Sequence, residues 1–376
     1  MKIIVIAGFS ESLINFRGPL LAAMAKIGHE VFAMAPGENP VVAEKLRKID
    51  VVYTSINLER TGLNPLKDLR TYLLIKAKLR ELKPDVVLAY TIKPVIYGSL
   101  AARSAGVPHI FSMITGLGYS FMAGGLKQKL VNKIVSRLYK FGLTANEKVF
   151  FQNPDDLTFF CNQGFLGNCN KAILINGSGV DINHFVETPA RCGELVFLLV
   201  GRLLRDKGIG EFIEAARMLK RKYPRAIFRI VGPIDSNPAA FKPAEIKVWH
   251  REGIVEYLGE IEDVRPVLSD CSVYVLPSYR EGMPRTVLEA MAMGRPIVTT
   301  DAPGCRETVV SGENGYLVPV KDAVALANAM ERFLLEPDSI PKMGRRSREI
   351  AEERFDVRKV NDVIMRSMGL INEKGV

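Results

Sequence analysis

"REGMPRTVLEAMAMGRPIVTTDAPGCRE", residues 280–307, contains a complete strand-to-helix-to-strand transition. It follows the apolar run "VYVLPSY", and the periodic segment from Pro284 to Gly294 predicts a helix that starts at a proline and stops at a glycine. The run "PIVTT" then predicts another strand. This order of elements predicts a parallel sheet with helices on both faces. Glu281 is expected in the loop before the helix, and Glu289 on the second helical turn.

The same alternation runs along the whole chain. Short apolar runs that predict strands lie at 2–7, 30–35, 50–56, 85–90, 109–114, 148–152, 195–201, 226–232, 255–259, 273–277, 296–300 and 315–319. The irregular segment 186–194 interrupts this pattern. For 376 residues we expect two domains, at 1–188 and 189–355, with a C-terminal helix at 356–376 packing back on the first.

The composition is that of a globular protein, with 48% apolar and 24% charged residues. The first apolar run is too short for a signal peptide, and no run has the length of a membrane span. The five cysteines form no CxxC pair, so we expect reduced thiols and a cytoplasmic location. The net charge of +10 suggests an anionic partner, or merely a well-solvated surface. Basic residues are not interleaved with aromatics, which argues against nucleic acid.

Two acidic and two basic residues are candidates for binding a phosphorylated ligand. Helix N–H groups near Arg285 and Thr286 form an anion site, which Glu281 and Glu289 flank as acceptors for sugar and ribose hydroxyls. Alternatively, Glu281 only complements the helix dipole and Glu289 is a solvated helix residue. The loop "GRLLRDKG" (201–208) adds Arg202 and Lys207, which can converge on a diphosphate or can simply form a basic loop. A third loop, "DAPGCRETV" (301–309), allows close backbone approach at its glycine.

These blocks, in this order, resemble the nucleotide-sugar domain of the family 4 retaining glycosyltransferases. The resemblance implies the GT-B fold, two Rossmann-like doubly wound domains facing a central cleft. It also implies that Arg202 and Lys207 bind the donor diphosphate, that Glu289 binds the ribose, and that Glu281 lies against the donor sugar. The catalytic candidates are therefore Glu281, Arg202 and Lys207. The expected donor-binding set is Arg202, Lys207, Gly232, Glu281, Gly282, Met283, Pro284, Arg285, Thr286 and Glu289.

The first domain is expected to bind the acceptor, and it departs from the family pattern. After the first strand there is one glycine where many members have two, and after the fifth strand "MITG" stands where many members carry a histidine. His109 starts that strand and is interpreted as structural. The expected acceptor and phosphate loops contain Gly8, Phe9, Ser10, Asn15, Arg17, Thr91, Lys93, Thr115 and Gly116.

The blocks "GFSESLINFRGPLL", "YTIKPVIYGSLAAR" and "TGLGYSF" are similar to a bacterial subgroup that extends sugars on undecaprenyl diphosphate. This similarity implies transfer of an N-acetylhexosamine, N-acetylgalactosamine from UDP-GalNAc, in α linkage during N-glycan precursor assembly. The segment 124–142 predicts an amphipathic helix with Leu130, Val131, Ile134, Val135, Leu138 and Phe141 on its apolar face. Its basic face, Lys129, Lys133, Arg137 and Lys140, either contacts the inner leaflet of the plasma membrane or is a solvated surface.

Retention at the anomeric carbon without an obvious carboxylate nucleophile favours a same-face mechanism, in which the leaving UDP acts as base. No Asp-x-Asp motif occurs, so we expect no required metal and no cofactor. A UDP-N-acetylglucosamine 2-epimerase of the same fold and a glycosyltransferase of lipopolysaccharide or capsule assembly remain alternatives. A NAD-dependent dehydrogenase needs a GxGxxG motif that is absent, and the diphosphate residues argue against a binding module without catalysis.

Overall fold

The computed structural model describes residues 1–59, 64–117, 126–191, 193–235, 237 and 239–371, with only the backbone for residues 126–130 and 250. The chain forms two compact units. Unit 1 comprises Met1–Ser178 and Arg358–Val376, and unit 2 comprises Gly179–Val357. A parallel sheet between layers of helices forms the centre of each unit, which confirms the predicted doubly wound α/β fold.

In the described part of unit 1, seven strands form one parallel sheet. They are β1 (Lys2–Ile6), β2 (Glu30–Pro36), β3 (Val51–Ile56), β4 (Val86–Tyr90), β5 (His109–Ile114), β6 (Lys148–Phe151) and β7 (Ala172–Leu174). Their order in the sheet is β3-β2-β1-β4-β5-β6-β7, so the winding direction reverses between β1 and β4. Ligands of such sheets bind outside the carboxyl ends of the strands at this reversal.

Helices cover both faces of this sheet. They are α1 (Glu11–Asn15), α2 (Gly18–Lys26), α3 (Pro40–Arg47), α4 (Pro65–Leu82), α5 (Ser99–Ala105), α6 (Leu126–Thr144) and α7 (Pro154–Asn162). Successive residues of a strand point to opposite faces. In β1, Ile3 and Val5 therefore pack in the cluster that contains residues of α2 and α3, whereas Ile4 and Ile6 pack with residues of α4 and α5.

Unit 2 has the same construction, with six strands among its described residues. They are β8 (Val196–Val200), β9 (Ile227–Val231), β10 (Glu256–Tyr257), β11 (Val273–Leu276), β12 (Ile297–Thr300) and β13 (Gly315–Val318). Its helices are α8 (Ile209–Lys222), α9 (Pro243–Arg251), α10 (Arg265–Ser269), α11 (Arg285–Ala292), α12 (Ala323–Leu335) and α13 (Ser339–Ile350), and the next helix along the chain, α14 (Val357–Ser367), belongs to unit 1 except for its first residue. The sheet order β10-β9-β8-β11-β12-β13 reverses between β8 and β11.

The chain enters unit 2 at Gly179, earlier than the boundary predicted at residue 188. The reason is that Val180, Ile182 and Phe185 are buried in the core of unit 2, although no periodicity in the sequence reveals this. At the other crossing, α14 returns to unit 1, where Val360 and Ile364 join the core beside β1 and β2.

The cysteines differ from the expectation of reduced thiols. Cys161 and Cys169, near the end of α7, are joined in a disulfide. Cys271 and Cys305 are buried free thiols, and burial raises the pKa of each to about 12. Cys192 lies outside the described residues. The helices of the described ranges include none of sufficient length and apolarity to span a bilayer.

Candidate active site

Three loops of unit 2 leave the carboxyl ends of β8, β11 and β12, next to the reversal of the sheet. Gly208 in the first loop has φ +71°, and a Cβ there would lie 2.0 Å from the carbonyl oxygen of Pro277 in the second. Gly304 in the third loop has φ +82°, and its Cβ would lie 2.3 Å from the carbonyl oxygen of Glu281. Only glycine tolerates both the positive φ and the close approach of a carbonyl oxygen, so the three loops pack against one another backbone to backbone.

Glu281 and Lys207 are brought together by this packing. The Lys207 Nζ donates to Glu281 Oε1 at 2.5 Å, and the Ser278 hydroxyl donates to the same oxygen at 2.8 Å. The main-chain N–H of Glu281 donates to the carbonyl oxygen of Pro303 at 2.9 Å, which fixes the backbone of the turn. Both charged side chains are mostly buried, with exposures of 21% for Lys207 and 13% for Glu281. A lysine ammonium has three donors, so one contact with Glu281 orients it without exhausting its capacity to bind an anion.

The turn leads directly into α11. Pro284 is the N-cap residue, and as it has no side-chain acceptor it leaves the first N–H groups of the helix uncapped by its own side chain. Thr286 Oγ1 lies 2.7 Å from the Tyr274 hydroxyl and 3.3 Å from the carbonyl oxygen of Val200, at the end of β8. The start of α11 is thereby fastened to the strand end from which the Lys207 loop departs. Gly282, Met283 and Pro284 form the backbone between Glu281 and this helix start.

Glu289 is buried on α11, which excludes the alternative of a solvated helix residue. Its Oε1 lies 2.8 Å from Arg285 Nε, one helical turn earlier. Burial raises the pKa of the Glu289 carboxyl above its ordinary value, and the Arg285 guanidinium opposes this shift. A buried carboxylate held in place by a guanidinium is suited to accept hydrogen bonds from a diol.

Arg202 does not join the Lys207–Glu281 pair. Its Nη1 donates to Asp235 Oδ2 at 2.7 Å, and half of the Arg202 side chain is exposed. Gly232, at the end of β9, has φ +146° and would place a Cβ 1.9 Å from the carbonyl oxygen of Gly201. Gly232 therefore lets the loops after β8 and β9 approach closely, which is how Asp235 reaches Arg202.

Three of the residues expected on the acceptor side lie at the sheet reversal of unit 1. Gly8 follows β1 and Thr91 follows β4, and a Cβ on Gly8 would lie 2.5 Å from Thr91 Oγ1. Thr91 has φ +68°, which is rare for a β-branched residue and signals a strained backbone. Arg17 is buried and lies over the ring of Tyr90, 5.1 Å from its centroid.

Lys93 lies in a buried ion pair rather than in an open loop. Its Nζ is 2.6 Å from Asp68 Oδ1, and the Tyr97 hydroxyl donates to the other oxygen of Asp68 at 3.0 Å. Burial and the adjacent Asp68 both raise the pKa of Tyr97. Ser10 is buried, and its hydroxyl donates to Glu11 at 2.8 Å.

The other acceptor-side candidates lie at the surface or near the start of an undescribed range. Phe9 and Asn15 are exposed beside α1. Thr115 and Gly116 are half-buried after β5, and Gly116 has φ +126°. The structure therefore brings Gly8, Thr91 and Arg17 to the sheet reversal and leaves Phe9 and Asn15 facing solvent.

The basic face predicted on α6 is present at Lys133, Arg137 and Lys140, which are exposed, while the side chain of Lys129 lies outside the described residues. Within the predicted apolar face, Val135 is buried, whereas Ile134 and Phe141 are exposed. The side chain of Leu130 lies outside the described residues.

Several contacts of the site were not anticipated from the sequence. Ser278 lies two positions after the end of β11 and three positions before Glu281, and this spacing is the one signal in the sequence for its contact with Glu281. Tyr274 lies inside β11 and looks like an ordinary core residue. Asp235 lies in the loop after β9, and nothing in its spacing connects it with Arg202.

Two Rossmann-like units, one of which holds a Lys–Glu pair in the turn that leads into a helix at its sheet reversal, define a glycosyltransferase of the GT-B class. Two family models match the chain, "Glycosyl transferases group 1" over residues 194–336 and "Glycosyl transferase 4-like" over residues 9–153. The chain belongs to glycosyltransferase family 4, and it is an enzyme of that class.

Relatives and solved structures agree with this assignment. The N,N'-diacetylbacillosaminyl-diphospho-undecaprenol α-1,3-N-acetylgalactosaminyltransferase of Campylobacter jejuni is 31% identical over 353 residues, 90% of this chain and 91% of the relative. The UDP-Gal:α-D-GlcNAc-diphosphoundecaprenol α-1,3-galactosyltransferase of Escherichia coli is 25% identical over 339 residues, 84% of this chain and 85% of the relative. The Anabaena protein HepE, crystallised with UDP and glucose, shares the fold with a TM-score of 0.78 at 20% identity, over 99% of this chain and 100% of that one.

Proposed function

We propose that this enzyme transfers N-acetylgalactosamine from UDP-GalNAc, with retention and in α linkage, onto a sugar linked to undecaprenyl diphosphate. The Campylobacter relative supports this donor and this acceptor class at 31% identity over most of both chains. The product would be a precursor for bacterial N-glycosylation, formed at the cytoplasmic face of the plasma membrane.

The observation that carries the proposal is the Lys207–Glu281 contact in front of α11. In the donor complex, Lys207 and the N–H groups that begin α11 bind the diphosphate. Glu281 orients the ammonium, and it accepts a hydrogen bond from the donor sugar. Gly282, Met283 and Arg285 supply backbone beside the phosphates. Glu289 accepts the ribose hydroxyls, and its partner Arg285 fixes the rotamer in which it does so.

Arg202 reaches the diphosphate by exchanging Asp235 for a phosphate oxygen. The exchange is feasible because this ion pair is partly exposed and is therefore of small net stability. Lys207 and Arg202 then offset the charge that develops on the leaving UDP, which is the main contribution of such a site to the rate.

The chemical step needs no group of the protein to form a bond to the sugar. The glycosidic bond to UDP breaks as the acceptor hydroxyl attacks the anomeric carbon from the same face, and the hydroxyl proton passes to the departing β-phosphate oxygen. The protein aligns the two substrates and stabilises the leaving group. A metal ion is not required in this scheme, so transfer should persist in EDTA, and complete loss of transfer would contradict it.

The acceptor is proposed to bind unit 1 near Gly8, Ser10, Thr91 and Arg17, where the sheet reverses. The exposed cations of α6 support contact of this unit with an anionic leaflet.

The test is a transfer assay with a panel of UDP-sugars and polyprenyl-diphosphate-linked acceptors, scored by the mass shift of the lipid product. We expect a shift of one N-acetylhexosamine with UDP-GalNAc. Glu281→Gln and Lys207→Met should lower turnover by about a hundredfold or more, as removal of one transition-state donor does. Glu262→Gln and Lys247→Met are matched controls at exposed positions of unit 2 and should leave turnover unchanged. Equal activity of the site and control variants would refute the role assigned to the pair.

A second donor is supported by the Escherichia coli relative, which transfers galactose onto GlcNAc-diphosphoundecaprenol. A mass shift with UDP-galactose and none with UDP-GalNAc would favour this alternative, a transferase of surface polysaccharide assembly. Conversion of UDP-N-acetylglucosamine without an acceptor would indicate an epimerase instead.

A further inference from the structure

Helix α4 of unit 1 exposes an apolar surface that the sequence analysis did not identify. Its buried side is formed by Asp68, Thr71, Ile75 and Leu79. On the opposite side, Leu66, Leu69 and Leu73 are 79%, 54% and 52% exposed, and Leu74 is 40% exposed. With 3.6 residues per turn, these four leucines lie on one side of the helix. A contiguous row of exposed leucines on one helix is typical of an interaction surface.

The leucines of α4 and the cations of α6 face away from the same side of the sheet. In β5, Ile110 and Ile114 point to one face because they are four positions apart. Ile110 packs in the cluster that holds Ile75 and Leu79 of α4, and Ile114 packs in the cluster that holds Val135 and Tyr139 of α6. Both helices also contact the segment Pro94–Gly98, which lies between them and continues into α5. Helices α4 and α6 therefore belong to one layer, and their exposed sides form one outer surface of unit 1.

The charge of this outer surface selects its partner. Among the 19 residues of α6 there are five Lys or Arg and no acidic residue. The exposed cations Lys133, Arg137 and Lys140 adjoin Ile134 and Phe141, and Phe141 is 67% exposed. On α4, Arg70 is exposed among the leucines. In the described part of the chain, Lys133, Arg137 and Lys140 form no ion pair. Apolar side chains beside such cations match the acyl boundary and the anionic headgroups of a membrane.

A second copy of the chain fits this surface less well. A two-fold contact would place the same patch on both sides of the interface, and α6 has no acidic residue, so the α6 helix of one copy would bring further cations and no counter-charge to that of the other. Like charges at such short range oppose association. An anionic bilayer offers the leucines an apolar medium and the cations their counter-charges at the same time.

We propose that the outer surface formed by α4 and α6 is the membrane-docking face, on which Leu66, Leu69 and Leu73 insert into the leaflet while Lys133, Arg137 and Lys140 bind anionic headgroups. This inference rests on the proposed function, since a lipid-linked acceptor must be met at a membrane. In this proposal the two helices make different contributions to membrane affinity. The contribution of the α4 leucines does not depend on salt, whereas salt screens the contribution of the α6 cations.

The test measures partitioning of the full chain onto vesicles of phosphatidylcholine, alone or mixed equally with phosphatidylglycerol, at low and high salt. A triple variant with Leu66→Ser, Leu69→Ser and Leu73→Ser should bind mixed vesicles at least about tenfold more weakly at both salt concentrations. A second triple variant, with Lys133→Gln, Arg137→Gln and Lys140→Gln, should bind mixed vesicles more weakly than the parent protein at low salt and as tightly as the parent protein at high salt, where the charges are screened. The matched control carries Val41→Ser, Val324→Ser and Leu335→Ser, three exposed apolar residues on other helices, and should bind as the parent protein does.

Vesicle binding by the leucine variant equal to that of the parent would overturn the proposal. So would a change from dimer to monomer in the leucine variant with unchanged vesicle binding, because the surface would then be a contact between copies. A thermal melt and UDP affinity equal to those of the parent would show that the variant is folded.

Failure of the proposed function is read separately, with an acceptor whose short polyprenyl chain keeps it in solution. If the leucine variant transfers sugar to this acceptor at the parental rate but no longer binds vesicles, both proposals hold. If neither the parent protein nor the leucine variant transfers any sugar while the vesicle results are as expected, the docking face is supported and the proposed substrates are wrong.

Discussion

Replacement of Gly304 by alanine tests how tightly the loops of unit 2 hold the candidate catalytic pair. The new Cβ would lie 2.3 Å from the carbonyl oxygen of Glu281, in a backbone with φ +82°. Since van der Waals contact needs more than 3 Å, the Glu281 backbone must move by roughly 1 Å. The left-handed backbone costs alanine about 1–2 kcal/mol, and the overpacking adds about 1–3 kcal/mol. We therefore expect a loss of about 2–5 kcal/mol of unfolding free energy.

The matched control for this substitution is Gly312→Ala. Gly312 has φ +87°, but its Cβ would meet no atom within 4 Å, so this variant carries the backbone strain without the contact. Urea denaturation should show a loss of only about 1–2 kcal/mol for Gly312→Ala. A displacement of 1 Å at a catalytic group costs about a hundredfold in rate, so turnover should fall in the Gly304 variant and persist in the control. Equal losses of stability and turnover in the two variants would refute the packing argument.

Three further predictions concern buried or strained groups. Burial raises the pKa of Glu289, so wild-type stability contributed by this group is greatest below its ordinary pKa of about 4.5 and declines as pH rises through the raised value. The stability of Glu289→Gln relative to wild type should therefore increase from pH 4 towards neutrality, as measured by urea denaturation. A difference in unfolding free energy between the two proteins that does not change with pH would contradict this. Lys93→Met leaves Asp68 buried without its cation and should cost about 3–5 kcal/mol. Adding Asp68→Leu should recover much of this loss, and failure to do so in the double-mutant cycle would argue against the pair. Thr91→Gly relieves the backbone strain that a φ of +68° imposes on a β-branched residue, so it should raise the melting midpoint slightly while lowering turnover. Unchanged turnover would show that this strain has no role in catalysis.

The alternation of short apolar runs with helical patterns predicted the fold well, because each strand of a parallel sheet is buried on both faces and therefore has a simple signature. The strand Ala172–Leu174 was missed. It has three residues at the edge of the sheet and is only partly buried, so it lacks that signature. The boundary between units was misplaced because Val180, Ile182 and Phe185 pack without periodicity.

The candidate site was only partly predictable. Glu281 and Lys207 could be named because each follows a strand, and the carboxyl ends of parallel strands share one edge of a sheet. Their mutual contact depends on the backbone packing at Gly208 and Gly304, which a sequence does not display. On α6, the sequence places Ile134 and Phe141 on the apolar face, but it does not show how much of that face the rest of unit 1 covers, so their exposure could not be predicted.

The return of α14 to unit 1 has a consequence for how the protein is made. Val360 and Ile364 complete a hydrophobic cluster whose other members, such as Ile3 and Leu21, leave the ribosome before them. Unit 1 therefore cannot finish folding until α14 has been translated, and the whole of unit 2 is encoded before Val360 and Ile364. A nascent chain truncated after Ser178 should expose part of its apolar interior and recruit chaperones, while the later-made unit can mature as soon as it emerges.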